Sequence, residues 1–280
     1  MTSRTIVITG ASDGIGEAAA RALSRSGDHV VIVGRSPAKT AAVAEALGAD
    51  FLVADFASLE EVRALAAELL ERYPRIDVLA NNAGGIMGER DTTVDGHEKT
   101  FQVNHLAPFL LTTLLMDRLI ASQARVVNTS SAANLLFGKI DLDDLQAETK
   151  YSANKAYGDA KLANILFTRE LDHRYNDQGL TTAAFHPGVV ATSFSTGSTT
   201  VMRLIYQTPL KRLLLGAEQG ADTLVWLATA KPGTDWVSGE YYEKRRIQKA
   251  NKQAYDPQLA AALWEQSSVL VAGHSAPLAS

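Results

Sequence analysis

The sequence predicts a doubly wound α/β fold: a parallel sheet of about seven strands flanked by helices, in a chain of 280 residues. Three observations carry that expectation. Short β-branched runs alternate with alanine- and leucine-rich stretches of helical character. The runs are apolar throughout rather than alternating, as strands buried on both faces must be. Each pair of runs is separated by enough chain for a helical crossover, which places neighbouring strands parallel. Neither a repeat of solenoid period nor a linker breaks the pattern, so residues 1–280 are expected to form one domain.

Strands are expected at Thr5–Thr9, His29–Val33, Phe51–Ala54, Asp77–Ala80 and Arg125–Asn128. Between them lie helices near Gly14–Ser26, Pro37–Leu47, Leu59–Tyr73 and His97–Ile120. A long helix from about Tyr151 to Tyr175 leads to a strand at Thr181–Phe185. Gly188 to Thr200 is rich in Ser, Thr and Gly and reads as irregular; Val201–Leu215 is partly helical. The helix Ala217–Thr229, a short strand near Glu240–Tyr242 and a last helix near Pro257–Ser268 complete the chain.

Composition narrows the function. Hydrophobic residues at 46% and charged residues at 21% are ordinary globular usage and argue against disorder. A net charge of −4 gives no electrostatic case for nucleic acid. The absence of cysteine excludes disulfides, thiolate nucleophiles and cysteine-based zinc sites, and fits a reducing, cytoplasmic compartment. The six histidines are scattered without metal-ligand spacing, so no metal is expected. Met1 to Arg4 is too short and polar for a signal peptide. The apolar stretch Leu106–Met116 is interrupted by Pro108 and the Thr112–Thr113 pair, so no stable membrane insertion is expected.

The chemistry begins at Thr9-Gly10-Ala11-Ser12-Asp13-Gly14-Ile15-Gly16, between the first strand and the first helix. A dinucleotide's pyrophosphate needs close backbone approach, free N–H groups and the positive end of a helix dipole. Gly10, Gly14 and Gly16 supply them at the right place, in the spacing G-x-x-x-G-x-G. Further on come Asn81-Asn82-Ala83-Gly84 after the fourth strand, Asn104 in the next helix, Ser130-Ser131 at a strand end, and Tyr157-Gly158-Asp159-Ala160-Lys161. A tyrosine and a lysine four apart share one helix face. A nearby ammonium favours the phenolate, so the pair is expected to acidify Tyr157 and make it a proton donor and acceptor for a carbonyl/alcohol pair. Tyr151 and Lys155 form a competing Tyr-x-x-x-Lys. The two tyrosines are six residues apart, about 240° around a helix, so both cannot face one site.

Taken in order, these motifs resemble the short-chain dehydrogenase/reductase family, with its Rossmann-type fold, over nearly the whole chain. Phe101–Thr112 (FQVNHLAPFLLT), Lys161–Leu171 (KLANILFTREL) and Leu263-Trp264-Glu265-Gln266-Ser267 look most like its retinol dehydrogenase-like branch, whose membrane-bound members carry an N-terminal anchor that this sequence does not show. The resemblance selects Tyr157 and Lys161 over Tyr151 and Lys155, because Lys161 runs directly into KLANILF. It also implies that Lys161 bonds the nicotinamide ribose, that Ser131 rather than Ser130 polarises the substrate carbonyl, and that Asn104 holds a water in a proton relay. From sequence alone, Asn104 is equally a helix cap. Ser12, Asp13 and Ile15 join the glycines around the pyrophosphate. Asp55 and Phe56 resemble the adenine-contacting pair, Asn81 to Gly84 flank the cofactor, and Pro187, Gly188, Val190 and Thr192 resemble the segment meeting the carboxamide.

After the second strand, where an acidic residue would select NAD(H), the chain has Gly34 and then Arg35. Arginine can pair with a 2′-phosphate, so NADP(H) is favoured over NAD(H). Asp13 points the other way, since NADP-using relatives often carry a basic residue there. A lid is expected near residues 190–215, where Met202, Leu204, Ile205, Tyr206 and Leu213–Leu215 suggest a small hydrophobic carbonyl or alcohol as substrate, and Arg203, Lys211 and Arg212 make the segment basic. The cluster Lys244, Arg245, Arg246, Lys249 and Lys252 is expected to be a solvated face. Family analogy, with the apolar helices Leu106–Ile120 and Tyr157–Leu171, suggests a homodimer or homotetramer. The alternative function is a non-catalytic NAD(P)-binding sensor of the same fold, which would be expected to have lost Tyr157 or Lys161. A nucleotide-sugar epimerase would share Tyr-x-x-x-Lys but with a different glycine spacing.

Overall fold

In β1 (Thr5–Thr9), Ile6 and Ile8 pack into one hydrophobic layer and Val7 into the opposite one, all fully buried. The computed structural model, which describes residues 3–188 and 216–272, repeats this pattern along the sheet. β2 (His29–Gly34), β3 (Asp50–Val53), β4 (Val78–Asn81), β5 (Arg125–Thr129), β6 (Thr181–Phe185) and β7 (Glu240–Glu243) follow in the chain. The spatial order is β3-β2-β1-β4-β5-β6-β7-β8, parallel except for the last pair. β8 (Arg246–Ile247) is a two-residue antiparallel addition, so the sheet has eight strands where about seven were expected. It is too short and too exposed to show as an apolar run.

One layer is closed by α1 (Gly14–Arg25), α2 (Pro37–Leu47) and α9 (Ala217–Thr229), the other by α3 (Leu59–Arg72), α5 (Ala107–Leu114), α8 (Ala153–Tyr175) and α10 (Pro257–Val271). Local chemistry sets their ends. Ser36 and Ser58 accept from the N–H groups of Lys39 and Glu61, capping α2 and α3. Asp256 accepts from Gln258 and Leu259 ahead of Pro257, starting α10.

The expected helix His97–Ile120 is broken. α4 (Lys99–Phe101) runs into a π turn, Gln102–Leu106, then α5 and, after Leu115, α6 (Met116–Ala121). Asn104 is the cause. Its Nδ2 donates to the Thr100 carbonyl at 2.8 Å, the acceptor that an α-helix would have given Asn104's own N–H. The ladder steps over it, and the Ala107 N–H reaches Gln102 instead. The long helix also starts later than expected: α8 begins at Ala153, leaving Tyr151 outside it. Val190, Thr192 and the expected lid at 190–215 lie outside the described residues.

Candidate active site

The strand order reverses between β1 and β4, and the crevice beyond their C-terminal ends is the standard ligand position of such sheets. A cavity of about 490 Å³ opens there. Its floor is the glycine turn. Gly10 and Gly14 adopt φ of +64° and +59°, which side chains rarely tolerate. A Cβ on Gly10 would lie 2.7 Å from the Ala83 backbone, and one on Gly16 would lie 2.3 Å from the Gly10 carbonyl. Asn82 ties the turn to β4: its Nδ2 donates to the Thr9 and Gly10 carbonyls at 3.0 and 3.2 Å. The backbone at the start of α1 faces the cavity with its unpaired N–H groups and the helix's positive end. A pyrophosphate fits such a cradle, and Ser12, Asp13, Ile15, Asp55, Phe56, Ala83 and Gly84 also line the cavity.

Asn81 does not. It points the other way, donating to Thr112 Oγ1 and Asn128 Oδ1 at 2.9 Å each, and braces β4 against β5 and α5. Asn81 is the last residue of β4 and Asn82 the first beyond it, and of the two Asn82 lines the cavity.

Arg35 and Lys39 line the cavity after β2, Arg35 exposed and Lys39 3.7 Å from Asp13. Sequence reasoning missed Lys39. Its signal was a basic residue in the first turn of a helix, the turn where cations are normally disfavoured. Gly34 has a packing reason: a Cβ there would meet Thr40 Oγ1 at 2.3 Å and Ser12 Cβ at 2.8 Å.

At the other end, Gly84 brings the cavity to the buried residues. A Cβ on Gly84 would lie 3.2 Å from Lys161 Nζ and 2.4 Å from Asn104 Oδ1. Lys161 is fully buried, and its Nζ donates to the Thr129 carbonyl at 3.2 Å. That ammonium lies 5.4 Å from the centroid of the Tyr157 ring. Tyr157 faces the Ser131 hydroxyl. Ser130 turns inward and donates to the Lys161 carbonyl at 2.7 Å, so the adjacent serines have different surroundings. Both amide hydrogens of Asn104 are spent on the Gly85 and Thr100 carbonyls, while its Oδ1 accepts from the Gly85 N–H at 3.0 Å. The side chain therefore clamps the Gly84–Gly85 turn. The competing pair is taken elsewhere: Tyr151 donates to the Gly88 carbonyl at 3.0 Å, and Lys155 pairs with Asp159.

Electrostatics correct one expectation. Burial pushes the Tyr157 phenol up to about 12, with the Ser131 hydrogen bond a smaller pull downward. Burial also brings the Lys161 ammonium down to about 7. The phenol of the chain alone is thus not acidified. Desolvation drives both groups toward neutrality, and a lysine that is partly uncharged exerts little field on its neighbour.

The description of short chain dehydrogenases as a family matches residues 4–201. The chain belongs to the short-chain dehydrogenase family. It lies in the retinol dehydrogenase-like branch. The chain is 46% identical over 278 residues to a Streptomyces sp. (strain C5) protein named as daunorubicin C-13 ketoreductase DnrU, covering 97% of this chain and 93% of that one. It is 38% identical to human retinol dehydrogenase 13, over 98% of this chain and 86% of that protein. A solved structure of an uncharacterized protein from Mycobacterium paratuberculosis superposes with a TM-score of 0.76 at 33% identity, covering 97% and 94% of the two chains. As a short-chain dehydrogenase the protein is an oxidoreductase, from a family that binds NAD(P). Pro187 and Gly188 follow β6, beside the strand that leads to the two serines. Among the described residues no helix is long and apolar enough to cross a membrane, and no group of three or more His, Asp or Glu side chains could hold a metal ion.

Proposed function

We propose that this short-chain dehydrogenase reduces an apolar ketone or aldehyde with NADPH, using Tyr157 as the proton donor. The observation that carries the proposal is the Tyr157 phenol, buried against Ser131 with Lys161 beside its ring, and Lys161 in turn beside Gly84, which lines the glycine-floored cavity. Bound NADPH would supply the hydride. Tyr157 would give its proton to the carbonyl oxygen as negative charge develops there, and Ser131 would donate a hydrogen bond to the same oxygen. Lys161, poised near 7, would then return a proton to the phenolate. Asn104 would act by position, holding Gly84–Gly85 beside Lys161.

In the reducing direction the intact phenol is the donor, and burial, which pushes it up to about 12, keeps it protonated at neutral pH. Arg35 and Lys39 at the adenosine end support NADP(H), since a 2′-phosphate would add two negative charges between two cations. Exposed Leu135, Leu136 and Phe137 on α7 (Ala133–Leu136) and its end, just after Ser131, offer an apolar wall to the substrate. Two relatives are named for bulky substrates, one for retinol and one for the C-13 ketone of daunorubicin.

The test is turnover of all-trans-retinal and daunorubicin with NADPH, comparing the native chain with Tyr157→Phe. The variant is expected to lose turnover by about 10²–10⁴-fold while NADPH binding, read by fluorescence, stays within about twofold. Retained turnover in Tyr157→Phe would refute the proposal.

A further inference from the structure

Behind Lys161 lies a chain of buried polar groups that the proposed reaction does not use directly. Asn164, one helical step beyond Lys161 on α8, donates through Nδ2 to the Asn104 carbonyl at 3.0 Å and to the Thr129 carbonyl at 3.1 Å. Thr129 O is also the acceptor for Lys161 Nζ, at 3.2 Å. Both amide hydrogens of Asn164 are therefore spent, and its Oδ1 must receive a donor. His105 Nδ1 lies 3.3 Å from that oxygen, and His105 Nε2 lies 2.9 Å from Ser267 Oγ on α10.

The tautomer follows from the partners. A neutral imidazole has one N–H, and Asn164 Oδ1 can only accept, so the proton sits on Nδ1 and Nε2 accepts from the Ser267 hydroxyl. Burial holds the ring neutral, bringing its value down to about 4. Phe101, Phe109 and Phe167 pack around it with ring centroids 5.1–6.1 Å away. Ser267 is fully buried as well, which leaves the histidine little access to water.

We propose that His105 is a positioning residue for the reaction: by donating to Asn164 it fixes the one amide orientation that holds the Asn104 and Thr129 carbonyls, and through Thr129 the Lys161 side chain. This rests on the reading of Tyr157 and Lys161 as the reacting pair. Inverting the Asn164 amide would set its oxygen against two carbonyl oxygens and its amide hydrogens against the His105 N–H, so His105 adds to the two carbonyls in holding one orientation. The π turn makes the arrangement possible by presenting consecutive residues to different partners, Asn104 to Gly85 and His105 to α8 and α10.

The experiment compares His105→Phe with His105→Asn in NADPH-dependent reduction of all-trans-retinal and daunorubicin. Phenylalanine preserves the aromatic packing but removes the donor; asparagine places an N–H where Nδ1 stood. The first is expected to lower kcat about tenfold with either KM within about twofold, and the second to restore kcat to within about twofold of the native chain. Native kcat in His105→Phe, or equal losses in both variants, would overturn the proposal. ¹⁵N spectra of the native chain give a readout independent of turnover, with the proton expected on Nδ1. A proton on Nε2 overturns the network even if Tyr157 is the acid. If instead Tyr157→Phe stays active while the spectra show the Nδ1 tautomer, the reacting pair is wrong and the network stands.

Discussion

The proposed preference for NADP(H) rests on packing and charge at Gly34, Arg35 and Lys39. An acidic residue at 34 would have to pass Thr40 and Ser12, whose atoms come within 2.3–2.9 Å of where its Cβ would be. The space is closed to a carboxylate at that position, while Arg35 and Lys39 line the same cavity, as the proposed 2′-phosphate contact requires. Asp13 does not cancel them: its carboxylate is 3.7 Å from Lys39, and both side chains are half exposed or more, so the ion pair is weak. Replacing both Arg35 and Lys39 with alanine is expected to raise the KM for NADPH by about 10–100-fold and to change that for NADH by less than about threefold. Parallel initial-rate series with the two cofactors measure this; equal changes for both would show that neither cation recognises the phosphate. The same neighbourhood shows what one residue discloses in a sequence. Arg35 was legible because it follows the strand end directly. Lys39 was not, since its place in the cavity depends on how α2 is set against the glycine turn.

At the scale of elements, the glycine turn and the π turn are the two irregular pieces on which the site is built. The turn works only because backbone occupies the volume of missing side chains, most severely at Gly16. Gly16→Ala must displace the Gly10 carbonyl or tilt α1, so it is expected to abolish detectable NADPH binding in titration calorimetry. The buried clash is also expected to lower stability, by about 1–3 kcal/mol as overpacking usually does. Native NADPH affinity in that variant would mean that the turn is not the pyrophosphate cradle. The glycine turn was legible because conformational need and chemical need select the same residue type at fixed spacing. The π turn was not: FQVNHLAPFLLT has apolar residues at the spacing of an unbroken helix, and the break comes from where the Asn104 amide points. The different surroundings of Asn81 and Asn82 were not legible either, because the strand ends between them and the turn that follows sets where Asn82 points. The Tyr157–Lys161 spacing predicted contact correctly, yet contact alone did not fix the sign of the phenol's shift, because burial cannot be read from a four-residue interval.

Across the whole molecule, α10 joins the C-terminal end to the reacting centre. Trp264 sets its ring 5.0 Å from Phe109 and 5.8 Å from Phe167, and α10 covers the faces of α5 and α8 whose apolarity suggested a subunit contact. Within one chain most of those residues are already buried, Leu114 being an exposed exception, so most of their sequence pattern is explained by packing inside the chain. Ser267 on the same helix ends the polar chain that runs through His105 and Asn164. This construction makes the fold sensitive to acid. His105 has a folded value of about 4 against an ordinary 6.5, because burial and the nearby Lys161 charge oppose a second proton on the ring, with only the Asn164 contact favouring it. Between those two values the unfolded chain binds a proton that the folded chain refuses, so stability falls as pH drops below 6.5 and levels off near 4. The full loss amounts to about 3 kcal/mol, a large share of the 5–15 kcal/mol that typically holds a domain together. His186, also held low by burial, adds in the same direction. Urea midpoints measured across this range should decline for the native chain and decline less for His105→Asn, which keeps a donor to Asn164 but cannot titrate. Parallel declines in the two proteins would show that the acid sensitivity arises elsewhere.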